Sequence, residues 1–217
     1  MAPGGRARQS DGPAIIKRLI AVLFLALAPP ALAHHVGAYT PRDNEISANF
    51  KQLKFSLEAR KFEVALRLYD EGALRKELRA RSSTLPTGLD DHLRAALQRG
   101  DAPDAERGLM VFVVALARDL AVEADRQLAA APADARAAVG RKFLEAIWRY
   151  YNLVDFLVTQ RNARAATTVR LAFDEAEGYV KTTPPAPERL SEPLRRIVHA
   201  LTGVIEASSQ SARRDSS

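Results

Sequence analysis

Apolar positions recur along the chain at three- and four-residue spacing, and no segment alternates convincingly with period two. A 3.6-residue period gathers such positions on one face of an α-helix, so the pattern predicts an all-α protein. Ile46, Phe50, Leu53 and Leu57 form the first stripe, with Asp43 or Asn44 placed to cap its helix. A break near Arg60-Lys61 leads into a helix through Phe62, Ala65, Leu66 and Tyr69, which Gly72 bends or ends. Ser82 to Gly88 reads as a loop. A short helix from about Asp90 to Gln98 then stops at Gly100, where a C-terminal glycine belongs.

From Pro103 to about Ala130 a long helix is striped by Leu109, Phe112, Val113, Leu116 and Leu120. Beyond Pro132 the next helix, about Asp134 to Gln160, is apolar nearly all round. Phe143, Ile147, Tyr150, Val154 and Leu157 lie on one face, Trp148 and Phe156 on the other. Such a helix is expected at the centre of the fold, packed on two sides. Arg161-Asn162 turns the chain into a helix through Val169, Phe173, Ala176 and Val180. Pro184, Pro185 and Pro187 then make a semi-rigid connector. Leu190, Leu194, Ile197, Leu201, Val204 and Ile205 stripe one last amphipathic helix. The expected architecture is a multi-helix antiparallel bundle, or stacked helical hairpins, with a C-terminal helix after a Pro-rich connector. Its divisions are a leader (1–33), a bundle domain (34–181), the connector (182–188), the C-terminal helix (189–208) and a disordered tail (209–217).

The leader has the three parts of a Sec-type signal peptide. Lys17 and Arg18 give a positive flank, Leu19 to Ala28 an unbroken apolar run, and Ala31-Leu32-Ala33 a small-residue cleavage pattern. The apolar run is shorter than the roughly 20 residues that a bilayer-spanning helix needs, and no later stretch reaches that length. A periplasmic protein without a transmembrane span in its mature chain is therefore expected. The leader has no Arg-Arg pair, which argues against the twin-arginine route.

Composition narrows the chemistry. With no cysteine, disulfides, thiolate metal sites and thiol catalysis are excluded. Arg6, Arg8, Lys17 and Arg18 against Asp11 place +3 of the net charge of +6 in the leader. The remaining surplus is interleaved with acids and forms no basic footprint for nucleic acid. Catalytic signatures are missing: there is no G-x-S-x-G turn, no H-E-x-x-H and no phosphate-cradling glycine loop. A non-catalytic protein is expected.

Two constellations could bind a metal ion, iron or copper. Cleavage after Ala33 would expose the α-amine of His34, followed by His35, and an amine with imidazoles can chelate a divalent transition metal. On the long helix Asp119 and Glu123 are one turn apart, with Glu123 inside the apolar stripe, and Tyr150, Tyr151, Asp155 and Glu177 lie on facing helices. Inward carboxylates build di-iron sites in bundles, although there the pattern includes Glu-x-x-His, which this chain lacks. The competing expectation pairs these acids with Arg118, Arg126 or Arg149, or caps them with tyrosine hydroxyls. Trp148-Arg149-Tyr150-Tyr151-Asn152 could line a groove or simply fill the core. His92 and His199 stand alone on ordinary helices.

Leu57 to Tyr69 resembles the turn and second helix of a tetratricopeptide unit, with Ala65 at the small position and Tyr69 at the aromatic position four later. The later junctions near Gly100-Asp101 and Arg161-Asn162 do not keep the repeat's period of about 34 residues. The resemblance therefore implies helical hairpins at this point only. Two functions follow as expectations. One is an exported binding or accessory protein handling a metal ion. The other is a scaffold of stacked hairpins for a periplasmic or membrane protein partner.

Overall fold

The computed structural model describes residues 42–215, with side chains as far as residue 210. They form eight α-helices and no strand. These are α1 (Glu45–Glu58), α2 (Phe62–Glu71), α3 (Ala73–Ala80), α4 (Leu89–Arg99), α5 (Ala102–Ala130), α6 (Arg136–Arg161), α7 (Ala163–Lys181) and α8 (Ser191–Asp215). Single 3₁₀ turns occur at Ser82–Thr84 and Pro187–Arg189. The all-helical expectation holds.

Helix ends lie where short polar side chains can satisfy the free backbone groups. At α1 the Ser47 amide donates to Asn44 Oδ1 and the Asn44 amide donates to Ser47 Oγ, both at 2.9 Å, closing a capping box. Asp101 accepts from the Asp104 amide to start α5, and Asn162 from the Ala165 amide to start α7. Gly100 ends α4 in the left-handed region at φ 68°. Arg60, at φ 56°, makes the tight turn between α1 and α2 without a glycine.

The four long helices close a ring: α5 packs on α6, α6 on α7, α7 on α8, and α8 back on α5. Short connections make sequence neighbours antiparallel, which is the arrangement of an up-down-up-down bundle. Helices α1 to α4 form a smaller layer in which α1 packs on α2 and α3, and α2 on α4; the layer is seated on α5 through α4. Helix α5 is therefore shared. Every residue from Gly108 to Ala117 is buried, because partners surround that part of the helix.

Two expectations change here. The helix packed on all sides, over Gly108 to Ala117, is α5, not α6. Phe156, on the second apolar face of α6, is 66 % exposed, because α6 is flanked mainly by α5 and α7 and its outer side has no covering layer. The C-terminal helix, expected as its own segment after the Pro-rich connector, packs as the fourth long helix of the bundle. Leu194, Ile197 and Leu201 are buried, with α8 packed on α5 and α7; Leu190, just before it, lies against Gly140 of α6; and α8 runs on to Asp215, past the point where a disordered tail was expected.

Polar contacts fasten the smaller layer. The break between α2 and α3 at Gly72 is clasped by Asn49 of α1. Its Nδ2 donates to the Leu68 carbonyl at 3.1 Å, and its Oδ1 accepts from the Leu74 amide at 3.0 Å. Asp90 on α4 accepts from the Tyr69 hydroxyl (2.7 Å), Arg75 Nε (2.7 Å) and Arg79 Nε (2.8 Å). Arg75 and Arg94 also pair with Asp70. Burial pushes the Asp90 carboxyl up, but the bonds from Arg75, Arg79 and Tyr69 outweigh it and hold the group at about 2.

Candidate functional site

A groove of about 630 Å³ opens where the loop before α4 meets the bundle. That size lies within the roughly 300–1,000 Å³ typical of small-molecule sites. Three segments distant in sequence build it: the 84–92 stretch, the first third of α5, and residues 205–210 of α8. Leu85, Leu89, Val111 and Ile205 are buried residues with an edge on the groove and make its apolar bed. Thr84, Thr87, His92, Glu206, Ser208 and Ser209 supply polar lining. Gly108, also in the lining, lets α4 come close: a Cβ there would stand 3.0 Å from Leu93 Cδ1 on α4.

Four of the polar groups have their protons engaged, while Thr87 and Gln210 line the groove with side chains that can donate or accept. Thr84 Oγ1 donates to the Arg81 carbonyl (3.1 Å), Ser208 Oγ to the Val204 carbonyl (2.8 Å) and Ser209 Oγ to the Ile205 carbonyl (2.9 Å). Each hydroxyl proton is committed, so these side chains have lone pairs left to offer. His92 Nε2 lies 3.0 Å from Asp104 Oδ1, and a carboxylate can only accept, so Nε2 carries the proton. In the neutral ring Nδ1 is then an acceptor. Glu206 is exposed and makes no ion pair among the described residues. Arg107, the cation in the lining, already has an interaction partner.

The residues expected to hold a metal fall elsewhere. His34 and His35 lie outside the described residues. Asp119 is partly exposed and accepts from Arg118 Nε at 2.9 Å, with Arg81 also near it at 3.6 Å. Glu123 does not sit inside the apolar stripe. The buried line of α5 passes instead through Ala117, Ala121, Ala124 and Leu128, leaving Glu123 at the surface. There it accepts from Arg126 Nε (2.8 Å) and Gln127 Nε2 (2.7 Å), and these bonds hold its carboxyl down at about 2. Asp155 takes a forked pair of bonds from Arg170, and Glu177 pairs with Lys181 at 2.9 Å. Among the described residues no group of three or more His, Asp or Glu is placed to hold a metal ion.

The aromatic run belongs to the core. Trp148 packs on Phe173 with ring centroids 4.7 Å apart, and Tyr150 accepts from Asn44 Nδ2 at 2.8 Å, tying α6 to the start of α1. Ala65 and Tyr69 are fully buried, as the tetratricopeptide-like reading wants, but α5 to α8 close on themselves instead of continuing as a stack of hairpins. His199 lines a smaller groove of about 330 Å³ between α5 and α8. Among the described residues no helix is long and apolar enough to cross a membrane. No family model, curated protein or solved structure matches the chain.

Proposed function

We propose that the chain is an exported, non-catalytic binding protein of the periplasm, and that its binding position is the groove between the 84–92 stretch, α5 and α8. The groove carries this reading: it joins an apolar bed of about the right size to a few convergent polar groups, which is the composition of a small-molecule site. Export rests on the order of positive flank, apolar run and Ala31-Leu32-Ala33 in the leader. The arginine partners of Asp119 and Glu123 supply the counter-charge that a metal ion would otherwise provide, so a metal is not the ligand favoured at those residues.

A thermal-shift screen of apolar and amphipathic small molecules tests the groove, run in parallel on the native protein and on Thr87→Trp. Thr87 is an exposed loop residue in the lining, so an indole there fills space without entering the core. Compounds that raise Tm in the native protein are expected to lose the effect in the variant. Equal shifts in both proteins reject the groove. The intact mass of protein recovered from a periplasmic fraction tests export, with His34 expected as the first residue.

A further inference from the structure

The outer side of α7 takes no part in the groove, and no helix among the described residues is laid over it. Arg164, Thr167, Leu171, Asp174 and Gly178 are all exposed there, at successive spacings of three and four residues. That spacing is the seam of a helix pair, and at 3.6 residues per turn it keeps the five positions on one narrow strip. A second apolar residue comes out beside the strip. Arg170 Nη2 donates to Asp155 Oδ2 at 2.6 Å across the α6–α7 contact, so the next residue of each helix, Leu171 and Phe156, stands at the same level. They are 61 % and 66 % exposed, two of the three most exposed large apolar side chains among the described residues. A lone exposed apolar residue is ordinary, but two at one level on an uncovered helix pair begin a patch that a partner can cover.

Charge selects the partner. Arg164 at one end of the strip and Asp174 at the other form no side-chain hydrogen bond or ion pair among the described residues. Partial burial, and then the neighbouring carboxylate of Glu177, push the Asp174 carboxyl up against an opposing pull from Lys181, so a further cation beside it relieves the group. Arg164 and Asp174 each stand five residues from Val169, and Thr167 and Leu171 each stand two residues from it. A second copy turned end for end about an axis level with Val169 therefore sets its Asp174 beside Arg164, its Arg164 beside Asp174, and its Thr167 beside Leu171. A parallel copy sets like charge beside like. Gly178 continues the strip with open space around it, which lets the backbone of another helix come close. We infer that the outer face of α7 docks a second copy of this chain in an antiparallel twofold pair, with Leu171 and Phe156 as the apolar contact and the Arg164–Asp174 pairs fixing the orientation.

Sedimentation velocity of the protein as isolated from cells, over a series of concentrations, decides the matter. The native protein is expected to pass from one chain to two as concentration rises. Leu171→Glu, Arg164→Asp and Asp174→Arg should each weaken self-association by at least about tenfold, since each sets a charge against an apolar contact or against its like. Mixing Arg164→Asp with Asp174→Arg should restore pairing, because one chain then carries two acids on the strip and the other two arginines. All three positions are exposed, and circular dichroism of each variant confirms that the helices are intact. A native protein that stays a single chain at every concentration overturns the proposal and leaves the face to another protein. Self-association unchanged in Leu171→Glu moves the contact off this face. Self-association that the single charge reversals do not weaken, or that their mixture does not restore, overturns the antiparallel register.

Discussion

Replacing Asn49 by alanine takes away one side chain from α1 and unfastens two other helices. Asn49 is buried, and its two bonds go to the Leu68 carbonyl at the end of α2 and the Leu74 amide at the start of α3. Gly72 precedes α3 and has no side chain to cap it, so Asn49 does the capping from outside the helix. In the variant the Leu74 amide stays buried without an acceptor, which costs about 1–3 kcal/mol, and the bond to Leu68 is lost at about 0.5–1.5 kcal/mol. The expected destabilisation is about 2–4 kcal/mol, read as a lower urea midpoint by circular dichroism with an unchanged slope. Gly72→Ala attacks the same clasp from the other side, since its Cβ would stand 2.1 Å from Asn49 Oδ1 and 2.2 Å from the Leu68 carbonyl oxygen. The double variant relieves the first clash, so the two losses should fall short of additivity by about 1 kcal/mol. A cost below about 0.5 kcal/mol for Asn49→Ala, or strict additivity in the cycle, would refute the clasp.

The acid limb of stability should report Asp90. Its folded carboxyl titrates at about 2 against an ordinary 3.8, so its contribution is complete above pH 4 and vanishes as the pH falls through 2. Asp90→Asn should cost about 1–2 kcal/mol at pH 7, allowing for solvent screening, and flatten urea midpoints between pH 4 and pH 2. Leu116→Ala should cost about 2–5 kcal/mol, since that side chain is 3 % exposed. Leu201→Ala should cost as much, being 0 % exposed; a loss below about 0.5 kcal/mol would mean that α8 docks loosely. Gly100→Ala should be the harsher of two left-handed glycine replacements, because its Cβ meets the Phe62 ring at 3.2 Å whereas Gly88 faces open space. Calorimetry should find about 1–2 kcal/mol for Gly100→Ala and about 1 kcal/mol for Gly88→Ala.

Helix boundaries were legible because capping is local. Asn44, Gly100, Asp101 and Asn162 act within a few residues of themselves, and each stands at the boundary its type suggests. Centrality is a different kind of quantity. Apolarity all round made α6 look innermost, yet burial depends on how many neighbours arrive, and α5 receives them from both layers while Phe156 on α6 stays mostly exposed. The same shift moved Glu123 outward, since the buried line of α5 drifts from Leu116 to Ala121 and Ala124. The groove could not be seen in any window of sequence. Thr84, Val111 and Ser209 share it only because α5 and α8 run antiparallel beside the loop before α4. Asn49 was likewise invisible, being an unremarkable polar residue until the helix break at Gly72 needed its amide.

The shared course of α5 leaves no natural seam along which the described chain could be divided. A fragment beginning at Ala102 would strip α4 from one flank of the stretch around Gly108 and hand water a strip of leucine and valine that evolution never had to disguise. The complementary piece would lose the floor on which α4 rests. Heat or denaturant should accordingly melt both layers in one step, and a protease should find its first productive cut in a connecting loop only after the whole has come apart.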